Sequence, residues 1–265
     1  MMLCGKNNQE EMPRFCCTVA MQSRGCLNKM YDNYIFDLYG TLVDIRTNEN
    51  KPYLWKKMSE IYTALGAAYS PVELKRTFRQ LEKELTEALP KYGEPDLREV
   101  FAQLFQIKGV DFDSQVIKTL EIIFRSLSRQ KLCVYENVRE TLAELKKRGK
   151  GVYLLSNAQS DFTRPELEIL QLTSYFDGIL ISSEEGYKKP SAEFYQRLID
   201  RFGLNVKRCL MVGNDEGSDI VGARNVGMDS LYIHTDISPD RPVEGLATYC
   251  VMDGDWKRVA EVLLV

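Results

Sequence analysis

The sequence predicts an α/β fold, a doubly wound parallel sheet with an inserted α-helical segment, and three observations carry that prediction. From residue 133 onward, short apolar runs alternate with amphipathic helical stretches, several closed by a glycine such as Gly149, Gly203 or Gly227, which is the pattern of successive βα units. One further apolar run, Tyr34-Ile35-Phe36, stands far upstream by itself. Between the two regions, residues 48–131 read as one helix after another. A lone short strand needs the later strands to complete its sheet, so the helical stretch has to loop out of a single core domain.

The elements follow in order. The first strand covers 34–37. Helices are expected over 51–66, 70–89, 96–108 and 113–129. Ser70-Pro71-Val72-Glu73 forms a capping box with proline at the first helical position, and Leu74, Phe78, Leu81 and Leu85 then share one face. Asp96 and Asp113 read as further N-caps ahead of periodic apolar residues. The alternating region gives helix 137–148, strand 151–155, helix 163–171, strand 178–182, helix 191–202, strand 208–212, helix 217–226 and strand 229–233. A strand near 248–251 and a helix over 255–264 close the chain. The expected organisation is an N-terminal extension over 1–29, a core made of 30–47 and 132–265, and a helical insertion over 48–131.

At 265 residues and 44% hydrophobic content the chain can bury a full core. A net charge of -3 with interspersed signs makes no electrostatic case for nucleic acid or an anionic membrane. No apolar run reaches the roughly 20 residues needed to cross a bilayer. The first 29 residues hold no sustained period and no continuous apolar stretch of a secretory signal, so an extension is expected there, with Met30 as an alternative translation start. Four of the seven cysteines (Cys4, Cys16, Cys17, Cys26) fall in it at spacings that match no common zinc pattern. Cys133, Cys209 and Cys250 lie in or beside apolar strands and read as small buried residues of a cytoplasmic protein.

Chemistry gathers at strand ends. Asp37 follows Tyr34-Ile35-Phe36 and precedes Leu38-Tyr39-Gly40-Thr41; Ser156-Asn157 follow the second core strand; Lys189-Pro190 come after the third; Asp215 and Asp219 follow the fourth. In an open parallel sheet, functional groups collect outside the carboxyl ends of the strands. Each residue alone has a plainer reading, as a turn residue, a solvated lysine or an N-cap. In this order, a carboxylate, a hydroxyl, an ammonium and a carboxylate pair resemble the four motifs of the haloacid dehalogenase-like hydrolase superfamily, over roughly residues 30 to 265.

That resemblance implies a Rossmann-like core with a helical cap closing over the site and selecting the substrate. It implies Asp37 as nucleophile, Thr41, Ser156 and Asn157 as phosphate- or substrate-binding groups, and Lys189 as the counter-charge to nucleophile and phosphate. It also implies Mg2+ held by Asp37, the Tyr39 carbonyl, and Asp215 or Asp219; Asn214 stands where many relatives carry the first acid of the last motif, which leaves the choice between those two open. The expected partner is a small phosphorylated metabolite or nucleotide, with no nucleic acid and no membrane, acted on by a monomer or homodimer. Tyr53, Trp55, Tyr62 and Tyr69 offer faces for a nucleotide base, although aromatics at helical spacing more often belong to a core.

The chain departs from the phosphatase pattern at Tyr39, where most such phosphatases place a second aspartate. A tyrosine with an ordinary pKa near 10 is a poor base at neutral pH, and losing a positioned acid–base group costs about 10² to 10⁴ in rate. Tyrosine there is what 2-haloacid dehalogenases carry, and they work without a metal. The two carboxylates of the last motif argue for phosphoryl chemistry instead. A catalytically weak regulatory protein is a third reading, against which stands the retention of the nucleophile with its counter-charges. The single histidine, His234, has no Ser or Cys motif to serve.

Overall fold

The computed structural model describes residues 30–241, 243 and 245–265. The expected extension and its four cysteines lie outside the described residues. In chain order the elements are β1 (Asn33–Phe36), β2 (Val43–Thr47), α1 (Pro52–Ala64), α2 (Pro71–Ala88), α3 (Leu97–Gln106), α4 (Ser114–Ser128) and β3 (Arg129–Val134). Then come α5 (Val138–Lys147), β4 (Gly151–Ser156), α6 (Ser160–Ile169), β5 (Gly178–Ile181), α7 (Ser182–Glu185), α8 (Ala192–Phe202) and β6 (Cys209–Gly213). A π-helical turn (Glu216–Ile220), α9 (Val221–Asn225), β7 (Asp229–Ile233), β8 (Tyr249–Val251) and α10 (Trp256–Leu263) complete the fold.

Six strands form one parallel sheet in the order β5-β4-β1-β6-β7-β8. The doubly wound fold read from the sequence is therefore present. Tyr34, Ile35 and Phe36 are buried because β1 pairs on both sides and is covered on both faces, which is why it reads as a continuous apolar run. The chain leaves β1, builds β4 and β5 on one side, then crosses to build β6, β7 and β8 on the other. This reversal opens a crevice at the carboxyl end of β1.

Helices α1–α4 pack around their own apolar cluster, in which Trp55, Phe78, Phe101 and Phe124 meet edge-to-face or stacked. The expected caps form: Ser70 and Glu73 make the reciprocal capping box, and Asp96 and Asp113 accept from the N–H groups of Arg98 and Val116. Trp55, Tyr62 and Tyr69 are buried in this cluster, with the Tyr62 and Tyr69 hydroxyls on the carbonyls of Phe101 and Leu104. None of the three is free to stack a base.

Two differences from the sequence reading bear on the site. The passages into and out of the helical unit are paired antiparallel strands, β2 and β3, not plain linkers. Their outer residues are exposed and polar, so no apolar period marks them. The helix expected over 217–226 starts as the π-helical turn and only then becomes α9.

The helical unit is fastened to the core above α6. Arg98 pairs with Asp161 at 2.7 Å, and Arg125 and Arg129 reach Glu166 at 2.8 and 3.2 Å. Glu121 of α4, 1% exposed, faces the same contact. Burial and the neighbouring carboxylates of Asp161 and Asp96 push its carboxyl up to about 9, with Arg98 at 3.8 Å opposing them. Lys118 lies 3.9 Å from Asp161 on the other side.

A raised carboxyl contributes stability that is complete below its ordinary pKa and is lost as pH rises through the folded value. The unfolding free energy of the native chain is expected to decline between about pH 4.5 and pH 9, by up to about 1.4 kcal/mol per pH unit. In Glu121→Gln that decline should flatten, which urea denaturation across the pH range will read.

Candidate active site

Asp37 follows β1 directly, and its N–H donates to the Val212 carbonyl of β6 at 3.0 Å. This bond fixes the loop at the crevice. The turn after it depends on Gly40, whose φ of +85° lies in the left-handed region. A Cβ there would also come within 2.3 Å of the Asn214 amide nitrogen. The tight turn brings Thr41 back so that its Oγ1 donates to Asp37 Oδ2 at 3.2 Å, in a geometry that also reaches Asn214 Oδ1 at 3.2 Å.

Lys189 enters from the segment after α7. Its backbone is held by both ends of one side-chain amide: the Lys189 N–H donates to Asn157 Oδ1 at 2.8 Å, and Asn157 Nδ2 donates to the Lys189 carbonyl at 3.0 Å. The ammonium lies 2.6 Å from Asp37 Oδ1 and 2.7 Å from Asp219 Oδ1. Lys189 is 2% exposed and Asp219 is fully buried. Burial alone would lower the lysine pKa, but the facing carboxylates of Asp219 and Asp37 outweigh it and hold the ammonium protonated. Burial pushes the Asp219 carboxyl upward, Lys189 pulls it back, and Asp37 adds to the rise.

The end of β6 supplies the rest. Gly213 lets Asp219 tuck beneath the strand, since a Cβ at this glycine would sit 2.3 Å from Asp219 Oδ2. Asp219 Oδ2 accepts from the Asp215 N–H at 3.0 Å. Asp215 Oδ1 accepts from the N–H groups of Gly217 and Ser218 at 2.8 and 3.3 Å, capping the π-helical turn. At the end of β4, Ser156 is 1% exposed and its Oγ has no hydrogen-bond partner. A buried hydroxyl in that state costs stability unless something else occupies it.

These groups surround a cavity of about 210 Å3, to which Asp37, Asn157, Lys189, Asp215 and Asp219 contribute, joined by Ser218, Ile237 and Pro239. Of the sequence-expected residues, Asp37, Tyr39, Asn157, Lys189, Asp215 and Asp219 line this hollow, whereas Thr41 and Ser156 do not. Tyr39 is part of its wall, yet its hydroxyl donates to Glu166 Oε2 at 2.6 Å, with Thr163 Oγ1 at 3.2 Å. Burial, then the Glu166 carboxylate, raise its pKa above the ordinary tyrosine value. The Arg125 guanidinium of α4 lies 5.4 Å from the centre of the Tyr39 ring. Among the described residues no group of three or more His, Cys, Asp or Glu side chains is arranged to hold a metal.

Sequence reasoning missed Glu166 and Arg125, whose helical spacing marks them only as solvated-face charges. It also missed Ile237 and Pro239, which follow β7. The strand-end rule would have drawn attention to that segment had it been applied to every strand.

The fold and these converging strand ends match a known family. A family model described as a haloacid dehalogenase-like hydrolase matches residues 31–227. The chain belongs to the haloacid dehalogenase-like hydrolase family. Among similar proteins, a phosphoserine phosphatase of Thermus thermophilus is 28% identical over 59% of this chain and 61% of its own length. A glyceraldehyde 3-phosphate phosphatase of Pyrococcus furiosus is 26% identical over 74% of this chain and 78% of its own. The match to the Thermus relative therefore spans about three-fifths of that protein. Among solved structures, a haloacid dehalogenase-like phosphatase from Thermococcus onnurineus superposes with a TM-score of 0.58 at 21% identity, covering 88% of this chain and 97% of that one. A dehalogenase with an intermediate complex gives 0.55 at 21%, over 89% and 99%. At that identity the likeness concerns the fold.

Lys189→Met would leave Asp37 and Asp219 facing each other with no cation. It is expected to lower the unfolding free energy by about 3–5 kcal/mol, and adding Asp219→Asn should restore part of the loss in the same urea titration.

Proposed function

We propose that this hydrolase transfers a phosphoryl group from a small phosphorylated metabolite to Asp37 and then to water. The observation that carries the reading is the pairing of Asp37 with the buried ammonium of Lys189 at the wall of the hollow, in the crevice of the sheet. Asp37 attacks phosphorus, its Oδ–P bond forming as the bond to the leaving oxygen breaks. Lys189 neutralises the incoming charge, while Thr41 and Ser156 hold non-transferring oxygens. Water then cleaves the aspartyl phosphate and regenerates Asp37. The phosphatase names of the relatives support this reading.

A divalent cation fits the donor set. Magnesium is bound through one or two carboxylates and otherwise keeps waters and substrate oxygens. Asp37 and Asp215 are cavity-lining oxygen donors, and the Tyr39 carbonyl belongs to the same loop. Asp219 Oδ1 forms an ion pair with Lys189 without a hydrogen bond and Oδ2 accepts from the Asp215 N–H, which favours a role in positioning the lysine. When bound, magnesium would offset the repulsion between the attacking carboxylate and the phosphoryl group. The four-helix unit acts in this reading as a cap that keeps bulk water from the crevice.

The position two after Asp37 carries Tyr39, whose hydroxyl is taken by Glu166. Substrates whose leaving groups depart as stable anions, acyl phosphates above all, should suit the site better than alkyl phosphates.

Attack of Asp37 on a carbon bearing halide, without metal, is a second reading. The tyrosine at 39 and the protein partners already held by Asp215 and Asp219 favour it. One panel separates the two. Acetyl phosphate should be hydrolysed with kcat/KM about 10² to 10⁴ above that for glycerol phosphate, with loss of turnover on adding chelator and in Asp37→Asn. Halide release from 2-chloropropionate that survives chelator would select carbon attack.

A further inference from the structure

The cavity beside Asp37 is lined by polar side chains apart from Tyr39, Ile237 and Pro239, and among the described residues no side chain of α1–α4 contributes to it. The contacts that this hollow offers a substrate come from the core. Ile237 and Pro239 lie in the segment that leaves the carboxyl end of β7.

This segment is fastened to the site. Thr235 Oγ1 donates to the Gly40 carbonyl at 2.9 Å. The Thr235 N–H donates to Ser238 Oγ at 2.9 Å, and the Ser238 N–H donates back to the Thr235 carbonyl at 3.1 Å. Asn214, which also faces Thr41, reaches Ser238 Oγ from Nδ2 at 3.4 Å. The turn is thus tied to both the β1 loop and the β6 loop. Ile237 is carried at its tip with its Cδ1 2.9 Å from the place a Cβ on Gly40 would take. Although it is a large aliphatic residue, it is 37% exposed. An apolar side chain held rigidly at the wall of a charged hollow gains by being covered, and a substrate's carbon chain would cover it.

The size of the hollow sets how much of a substrate this wall can touch. Its volume of about 210 Å3 lies below the usual range for drug-sized ligands, about 300–1,000 Å3. At roughly 30 Å3 per water it equals about seven waters. The hollow is half open, so a phosphoryl group and the few atoms next to it fill it while the rest of a substrate lies outside.

We propose that the turn Thr235–Pro239 is a substrate-contacting wall of this hydrolase, with Ile237 as a specificity-determining contact, and that it favours phosphorylated compounds with an aliphatic group next to the phosphate. The assignment of phosphate as the anchored group rests on the reading above. Short hydroxylated chains are disfavoured by an aliphatic wall.

The test separates the wall from the turnover. Binding of methylphosphonate and n-propylphosphonate, which cannot be hydrolysed, is titrated calorimetrically against the full chain with magnesium present. The native protein should bind the propyl compound about tenfold more tightly than the methyl one. Ile237→Ala should reduce that ratio to less than twofold, and Ile237→Leu should retain it. An unchanged ratio in Ile237→Ala, a native ratio near one, or no phosphonate binding at all would overturn the proposal. Acetyl, propionyl and butyryl phosphates are assayed for phosphate release alongside. Absence of turnover with an intact chain-length dependence of binding sinks the phosphatase reading alone, whereas turnover indifferent to chain length and to Ile237→Ala sinks the wall alone.

Discussion

The ammonium of Lys189 between Asp37 and Asp219 is the interaction on which the site depends. A buried cation is costly to desolvate, and it is tolerated only where carboxylates meet it at contact distance. Here the two contacts come from the ends of two different strands, at 2.6 and 2.7 Å. The sheet order makes this possible, because β1 and β6 are neighbours and the segment after β5 returns over β4 toward them. Asn157, at the end of β4, then fixes the lysine backbone through two hydrogen bonds. Four strand ends are joined by one charge, so a displacement of any of them leaves a charge uncompensated.

A second group of charges ties the helical unit to the same place. Glu166 receives Arg125 from α4 and Arg129 from β3, and it also accepts from the Tyr39 hydroxyl. Tyr39 stands two residues after Asp37. The Tyr39 side chain is therefore part of the contact between core and helical unit. The consequence is mechanical as well as chemical, since the loop bearing Asp37 is braced from the side that faces α4 and α6.

Much of this was legible in the residues. Strands buried on both faces declare themselves as unbroken apolar runs, and the six core strands were placed within a few residues on that basis. Helix starts were legible because Ser70, Asp96 and Asp113 satisfy backbone N–H groups that need a partner. Strands β2 and β3 were not, because half-exposed polar strands such as Arg129–Val134 lack a decisive period. The convergence of Asp37, Lys189 and Asp219 was readable from strand order, but their individual partners were not. Asn157 holds the lysine backbone and Asp215 caps a turn with one of its oxygens, partners to which nothing in the spacing pointed. Such assignments depend on angles within a loop, which no spacing encodes. Glu166 escaped notice because a glutamate inside an amphipathic helix looks solvated until a neighbouring unit buries it.

Charge balance weighs between the two chemistries. The hollow gathers three carboxylates, Asp37, Asp215 and Asp219, against one ammonium. Like unit charges about 4 Å apart repel by about 4 kcal/mol at an effective dielectric near 20, so a dianionic phosphate could not enter such a site unaided. Asp219 is the carboxylate whose protonation burial favours, but it already neutralises Lys189, and removing its charge would help an anion only once. A haloacid brings a single negative charge and would meet the same surplus with no compensation beyond Lys189 and the Ser156 and Thr41 hydroxyls. The excess of negative charge thus supports the reading in which a divalent cation shares the hollow with the substrate. It also supports keeping the remaining wall, at Ile237 and Pro239, free of charge, since one more polar anchor there would compete with the phosphate for the same few donors.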